Sequence, residues 1–318
     1  MNSKKNLLYY IAGTNMEIEN YLKKTNQVSS IELENLTNDK QYDYIIIDTQ
    51  KVQKTDIEKL KENLSPEGTI ILIVDNPYGI TRFVTYNYEE QISPLEQKQE
   101  YPNIEELCNT LMEQNFFIKK YMVYPDKEKV DMLIREDLED ILDKIGKYFY
   151  HYKEGQVVLC NESSLMQNIL KYDKELYKKL ANSYFIEATL QESENDIKYI
   201  SFNNYRKDPY RFMTKIRETI VEKQAENEQA SNRIKEIGEN IKQLENYNFK
   251  ILDKYEDHKL YSELIKNKET LDIDLAKDSK NLDKITNILL KIKEELLKHS
   301  VKYEQIENRE EICLLEEY

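Results

Sequence analysis

Two apolar segments of the sequence each end in polar side chains that could hold a ligand. Residues 44–47 are followed by Asp48, and residues 69–74 are followed by Asp75-Asn76-Pro77-Tyr78-Gly79. Continuous Ile, Val and Leu runs on either side of a helical stripe are typical of buried strands in a parallel sheet. Open sheets of this kind bind ligands at the carboxyl ends of their strands. The sequence therefore predicts a binding site that contains Asp48, Asp75, Asn76, Tyr78 and Gly79.

Each of these residues also has an interpretation that involves no ligand. Asn-Pro and Gly are common in turns, so residues 75–79 could be a turn that ends a strand. The sequence supports this interpretation as strongly as it supports a ligand-binding role. Asp48 is better explained as an acid that caps the helix after it. Gly13 follows the first predicted strand, where a lone glycine fits a plain strand-to-helix turn. The sequence leaves these alternatives open.

The acidic composition limits the class of function. The 318-residue chain has a formal net charge of −14, which argues against nucleic acid and anionic membranes as partners, because basic surfaces bind both. No apolar run approaches the roughly twenty residues of an integral membrane segment. Cys108, Cys160 and Cys313 are far apart and the three histidines are dispersed. The sequence therefore predicts no disulfide framework, no metal site and a reducing, cytoplasmic location, and it identifies no catalytic residue.

The spacing of apolar residues predicts an α/β domain over residues 1–217. A mostly helical insertion is expected at about 127–180, and segments 184–191 and 197–203 are expected to pair as a hairpin. The remaining predicted elements are strands at 7–12, 28–33 and 116–124 and a helix at about 103–114.

Residues 218–318 carry the pattern of a helical coiled coil. Two stripes recur there at steps of three and four, with one step of seven from Leu275 to Leu282, and their residues are apolar or aromatic except for Asn248. They are Ile234, Ile237, Ile241, Leu244, Asn248, Ile251 and Tyr255, and later Leu271, Leu275, Leu282, Ile285, Leu289, Ile292 and Leu296. The stripes predict either an intramolecular helical hairpin, which is favoured because each half is then a partner for the other, or a dimeric coiled coil. In both cases an apolar stripe of this length needs a partner helix.

The order of these motifs resembles that of class I S-adenosylmethionine-dependent methyltransferases, in particular those encoded in bacterial surface-glycan biosynthesis loci. The resemblance covers about residues 7–217. It is carried by Asp75-Asn76-Pro77-Tyr78-Gly79-Ile80, Val123-Tyr124-Pro125-Asp126, Asn182-Ser183-Tyr184-Phe185-Ile186-Glu187-Ala188, Ser201-Phe202-Asn203 with Arg206, and Thr214-Lys215-Ile216. It implies the cofactor S-adenosylmethionine, held by Gly13, Thr14, Asp48, Asp75, Asn76, Tyr78 and Gly79.

The chain departs from the family's pattern between Gly13 and Asp48. The family has a glycine-rich turn after its first strand, whereas Ile11-Ala12-Gly13-Thr14-Asn15 has one glycine. The segment up to Asp48 has room for one strand where the complete fold has two. We therefore expect an α/β fold with a shortened Rossmann-like, class I methyltransferase-like sheet, followed by the long C-terminal helical coiled coil or helical hairpin.

Two functions remain open at this point. The first is a methyltransferase of bacterial surface-glycan biosynthesis or protein glycosylation. The second is a degenerate, cofactor-free relative that acts as a scaffold and docks a glycosyltransferase or another pathway partner through its coiled coil. The coiled-coil partner is either a second copy, which would make a homo-oligomer, or a glycan-pathway enzyme. A nucleotide-sugar-binding transferase is a third alternative.

Overall fold

The computed structural model describes the greater part of the predicted α/β domain and part of the C-terminal region. The described residues are 6–11, 27–30, 40–48, 54–87, 103–138, 156–192, 196–203, 205–244, 253–264, 286–287 and 289–294. Gly13 and Thr14 lie outside these residues.

The described residues include fourteen strands and six helices. The strands are β1 (Asn6–Ile11), β2 (Gln27–Ser30), β3 (Tyr42–Asp48), β4 (Leu64–Asp75), β5 (Thr85–Asn87), β6 (Phe117–Pro125), β7 (Val130–Arg135), β8 (Gln156–Val158), β9 (Ser183–Thr189), β10 (Tyr199–Ser201), β11 (Phe212–Ile216), β12 (Ile220–Ala225), β13 (Asp253–Glu256) and β14 (Lys259–Glu263). The helices are α1 (Lys54–Glu62), α2 (Thr81–Val84), α3 (Ile104–Glu113), α4 (Glu162–Tyr172), α5 (Lys174–Lys179) and α6 (Glu228–Leu244), with a 3-10 helix at Asp208–Tyr210.

One mixed sheet organises the described residues. Its strand order is β2-β1-β3-β4-β9-β6-β7-β10-β11-β12-β14-β13, and β5 and β8 pair separately. The first four strands are parallel. Strand β9 is antiparallel to both β4 and β6, so β6 runs parallel to β4. All later neighbours are antiparallel. The predicted α/β class is confirmed.

The core lies on the sheet face against which α1 and α3 pack. Alternate residues of β4, namely Ile70, Leu72 and Val74, are fully buried there, because successive side chains of a strand point to opposite faces. Helix α1 contributes Ile57 and Leu60, and helix α3 contributes Leu107 and Leu111. This packing fixes the level at which β4 ends, and with it the position of the loop that begins at Asp75.

The structure confirms the strands predicted at 44–47, 69–74 and 116–124 and the helix at 103–114. Between β1 and β3 the described residues include strand β2, which pairs in parallel with β1. Residues 12–26 and 31–39 lie outside the described residues, so the prediction of a single strand in this segment stays a prediction.

The predicted hairpin of segments 184–191 and 197–203 is wrong. Strands β9 and β10 are separated in the sheet by β6 and β7. Tyr184, Ile186 and Ala188 of β9 are buried in the centre of the sheet. The polar residues between the two segments suggested a tight turn. Strand β9 instead lies between β4 and β6, where both of its edges are paired and its apolar side chains are buried.

The predicted helical insertion at 127–180 is only partly correct. Helices α4 and α5 occupy its second half, but residues Val130–Arg135 form β7. Strand β7 pairs with β6, and its residues Met132 and Ile134 are buried in the core. The segment has three consecutive apolar residues, Met132 to Ile134, between charged residues, a pattern too short to distinguish a strand from a helix.

The continuation of the first coiled-coil stripe to Tyr255 is also wrong. Helix α6 ends at Leu244, and Tyr255 lies in β13, which forms a hairpin with β14. Asp257 and His258 make its turn with positive φ angles of 49° and 61°. Tyr255 packs beside Ile234 of α6 and Phe212 of β11. Among the described residues, strands β11, β12 and β13 therefore cover Ala230 and Ile234 on the apolar face of α6.

The second stripe is described only in part. Residues 286–287 and 289–294 are helical, and Leu289 and Ile292 are exposed. The partner of this stripe stays a prediction. Among the described residues, no helix combines the length and the apolar character that crossing a membrane requires.

Candidate functional site

The described residues of the predicted site lie along one edge of the sheet. Asp48, the last residue of β3, is in register with Ile11, the last residue of β1, and with Ile73 of β4. Strand β4 continues two residues further, to Asp75, which is in register with Ser183 at the start of β9. The carboxyl ends of the parallel strands therefore meet at one edge, as the sequence predicted.

The carboxylate of Asp75 is held by two neighbours. The Ser183 hydroxyl donates a hydrogen bond of 3.0 Å to Oδ1, and the Lys127 ammonium lies 3.3 Å from Oδ2. The backbone N–H of Lys127 also donates to Ser183 Oγ at 3.2 Å. The loop after β6 and the start of β9 thus meet at Asp75. Asp75 retains some solvent exposure, so one side of its carboxylate faces the edge of the sheet.

The side chain of Asn76 closes the loop onto the segment before β9. Its Nδ2 donates to the carbonyls of Lys179 and Ala181 at 2.8 and 2.7 Å, and its Oδ1 accepts from the backbone N–H of Tyr78 at 3.0 Å. Asn76 is buried. Each of these bonds is internal to the protein, so the carboxamide of Asn76 has a structural role whether or not a ligand binds.

Gly79 and Tyr78 differ in their surroundings. A Cβ atom on Gly79 would lie 2.8 Å from Cα of Asn182, so the close approach of two backbone segments requires glycine here. The Tyr78 side chain is 64% exposed. It lines the mouth of a pocket of about 300 Å³, whose other walls include Ile104, Lys120, Leu176 and Tyr184.

A larger pocket of about 740 Å³ adjoins this one, and the two share Glu105, Lys120 and Glu136 in their walls. We call the two together the α3–α5 groove, because residues of α3, α5, β6 and the end of β7 line it. Buried or partly buried apolar side chains, Cys108 and Ile118 among them, form part of its wall. Burial raises the pKa of the Cys108 thiol and that of the Tyr184 hydroxyl, so both groups stay protonated at neutral pH.

The charged residues of the groove occur as pairs of opposite sign. Lys120 and Glu136 approach to 2.9 Å, and Lys178 and Glu175 to 2.8 Å. Arg135 makes two contacts with Asp137, of 2.6 and 2.8 Å. Although burial opposes it, hydrogen bonding from Arg135 holds the pKa of Asp137 below its ordinary value.

Several residues that shape this edge were not predicted from the sequence. Asn182, Ser183 and Lys127 contact Asp75 or the loop after it, and Glu162 at the start of α4 contacts Thr81. Asn182 and Ser183 belong to a motif that carried the family resemblance, but nothing in their spacing indicated which loop they would contact. Within the described ranges, no group of three or more His, Cys, Asp or Glu side chains could hold a metal ion.

The structure therefore brings together Asp75, Asn76, Tyr78 and Gly79 in one loop and places the end of β3, at Asp48, beside it. Gly13 and Thr14, which follow Ile11 by two and three residues, lie outside the described residues. Cofactor binding by these seven residues stays a prediction.

The sequence matches no protein-family model and no curated protein. In three dimensions the chain is similar to a SAM-dependent methyltransferase from Thermotoga maritima, with 11% identity, a TM-score of 0.31 and coverage of 60% of this chain and 84% of that one. It is also similar to a SAM-dependent methyltransferase from Mesorhizobium loti, with 8% identity, a TM-score of 0.32 and coverage of 59% and 92%. A plantazolicin methyltransferase in complex with SAH gives 13% identity, a TM-score of 0.33 and coverage of 58% and 76%. All three likenesses are remote.

Proposed function

We propose that the protein is an S-adenosylmethionine-dependent methyltransferase whose cofactor lies across the ends of β1, β3 and β4. The observation that supports this proposal is that β1 and β3 end in register, at Ile11 and Asp48, and β4 ends two residues beyond Ile73, which is in register with Asp48. Parallel strands that end close together present their exit loops to one ligand. Gly13 and Thr14 would then contact the cofactor from the loop after β1, Asp48 from β3, and Asp75, Asn76, Tyr78 and Gly79 from the loop after β4. The cofactor supplies an activated methyl group, so the protein has mainly to bind and orient the two reactants.

A thermal-shift titration with S-adenosylmethionine and S-adenosylhomocysteine tests this proposal. A ligand at about a hundred times its dissociation constant should stabilise the native state by about 2.7 kcal/mol and raise the melting temperature by a few degrees. Asp48→Asn should weaken the shift. Asp43→Asn is the matched control, because it removes the same charge from the opposite end of the same strand. The absence of any shift at millimolar ligand would refute cofactor binding.

We further propose that the acceptor is a carbohydrate of bacterial surface-glycan biosynthesis or protein glycosylation. The α3–α5 groove supports this, since its charges are paired internally and an ionic ligand would have to compete for them. A neutral, hydroxyl-rich ligand can bond to both members of each pair, and the exposed ring of Tyr78 offers an apolar face. The free thiols of Cys108 and Cys160 are consistent with the cytoplasmic location that the sequence predicted.

A cofactor-free scaffold is the second candidate function. The internal bonds of Asp75 and Asn76 favour it, because these polar groups already have partners without a ligand. In this case the C-terminal region, with Leu289 and Ile292 exposed on a helical segment, would dock a second copy or a glycosyltransferase. The titration separates the two functions: a saturable shift supports the enzyme, and its absence supports the scaffold.

A further inference from the structure

We infer that Glu162 and Asn182 are positioning residues that fix the loop from Asp75 to Thr81 at the edge of the sheet. The inference rests on the proposed function only where it concerns ligand binding, since the contacts themselves belong to the folded protein. Both residues lie outside the set that the sequence indicated.

Asn182 joins three segments of chain through one side chain. Its Oδ1 accepts a hydrogen bond of 2.9 Å from the backbone N–H of Thr81. Its Nδ2 donates to the carbonyl of Pro125 and to Oε1 of Glu162, both at 2.9 Å. Its backbone carbonyl accepts from the N–H of Asn76 at 2.8 Å. The loop is therefore attached to Asn182 at both its beginning and its end.

Glu162 completes this arrangement from α4. Its side chain has no exposed surface, and its Oε2 accepts a hydrogen bond of 2.7 Å from the hydroxyl of Thr81. The residue follows the N-cap Asn161 directly, so the partial positive charge of the helix N-terminus favours a carboxylate at this position. The two carboxylate oxygens accept from different segments, so Glu162 adds a second link between Thr81 and Asn182 beside their direct hydrogen bond.

Loss of the Glu162 carboxylate should loosen the end of the loop, at Thr81, without unfolding the sheet. The Thr81 hydroxyl would lose its carboxylate acceptor, and the Asn182 carboxamide would lose one of its two acceptors and keep the Pro125 carbonyl. The consequence should be local, because β4 and β9 keep their own ladder of backbone bonds. Thr81, at the end of the loop, would then be held less tightly against Asn182, whereas the bonds of Asp75 and Asn76 keep the beginning of the loop in place.

Hydrogen exchange tests this inference directly. In Glu162→Ala, the amide of Thr81 should exchange at least about tenfold faster relative to the amide of Leu72 in β4 than it does in the unmodified protein. Glu162→Gln should restore most of the protection, because its amide can accept from one donor and donate to the Thr81 hydroxyl. Asn63→Ala is the matched control: Asn63 is also buried and hydrogen-bonded, but it lies at the other end of β4.

The outcomes separate the inference from the proposed function. If the Thr81 amide in Glu162→Ala behaves as in Asn63→Ala, the positioning role is refuted, whatever the ligand data show. If the unmodified protein binds no S-adenosylmethionine, the proposed function is refuted. The exchange data then still test whether Glu162 positions the loop. Where the unmodified protein binds, Glu162→Ala should weaken binding about tenfold or more and Asn63→Ala should not. If Glu162→Ala does not fold, Thr81→Val replaces it in the exchange experiment, because it removes the hydrogen bond from the Thr81 hydroxyl to Glu162.

Discussion

Neighbouring residues of the loop after β4 have distinct surroundings. The Asp75 carboxylate retains some exposure at the edge of the sheet, beside Lys127 and Ser183. The Asn76 carboxamide is buried and bonds to the backbone before β9. Tyr78 reaches solvent at the mouth of the α3–α5 groove. The sequence presents these residues as one motif, but their surroundings differ, so we expect their substitution to have different effects.

Buried tyrosines give the protein a predicted sensitivity to alkaline pH. Burial raises the pKa of Tyr177 and of Tyr121 to about 12, against about 10 in an unfolded chain. Between these values the folded state holds more protons than the unfolded state. The free energy of unfolding should therefore fall as the pH rises above about 10, by at most about 1.4 kcal/mol per unit for each tyrosine.

Urea unfolding at a series of alkaline pH values measures this slope. Tyr177→Phe should make the decline less steep, since phenylalanine cannot ionise. Tyr172→Phe is the control, because Tyr172 is exposed in the folded protein much as it is in the unfolded chain. Equal slopes for Tyr177→Phe and the unmodified protein would contradict the role assigned to Tyr177.

At the scale of elements, strands of the sheet bury apolar residues of helix α6. Asn227 caps the helix by accepting from the N–H of Ala230 at 2.8 Å. The stripe residues Ile234 and Ile241 are buried. The ring of Tyr255, from the hairpin of β13 and β14, covers Gly238. The helix therefore packs against strands that follow it in the chain.

Gly238→Ala distinguishes this packing from a coiled coil. In an unobstructed helix the change should stabilise by about 1 kcal/mol. In the structure a Cβ at residue 238 would lie 2.6 Å from Cδ1 and 2.8 Å from Cβ of Tyr255, so we expect a loss of about 1–3 kcal/mol from overpacking. Chemical unfolding measures the change. In the background of Tyr255→Ala the substitution should become neutral or favourable, and a stabilising effect in the unmodified protein would support the coiled coil instead.

At the scale of the whole molecule, the described sheet continues beyond the predicted domain boundary at residue 217. Strand β11 ends at Ile216 and pairs along its length with β12, and β12 pairs with β14. Glu222 of β12 is buried and lies 2.9 Å from Lys259 of β14, with Lys215 and Arg217 within 4 Å. Both backbone pairing and ion pairs therefore join residues on the two sides of the boundary.

A chain that ends after Arg217 should fold poorly. The truncation removes β12 and leaves the edge of β11 unpaired, together with Phe212, whose contacts come partly from α6. Unpaired strand edges next to apolar surface promote aggregation. We expect a lower melting temperature and aggregation in size-exclusion chromatography. A chain that ends after Leu264 is the matched control because it keeps every described strand; equal behaviour of the two truncations would contradict this expectation.

Much of the fold on the N-terminal side could be predicted because it follows from local patterns. The continuous apolar runs of β3 and β4 are typical of buried strands, and the apolar residues of α3 recur at helical spacing. The loop from Asp75 to Gly79 could be located because it follows such a run. Its contacts could not, since Glu162 and Asn182 are 81 and 101 residues away from Thr81 along the chain. A single sequence holds no signal for pairings at that separation.

The sequence by itself located the apolar centres of β3 and β4 and the acids that follow them, and therefore indicated that Asp48 and Asp75 share an edge. Side-chain periodicity follows from backbone geometry, which acts within a few residues. Only the tertiary structure decided the insertion of β9 between β4 and β6, the placement of β13 beside α6 and the attachment of the loop to Asn182. These features depend on which buried surfaces and polar groups find partners after collapse. The partners lie in distant parts of the chain, so the sequence of each segment taken alone does not predict which partner it pairs with.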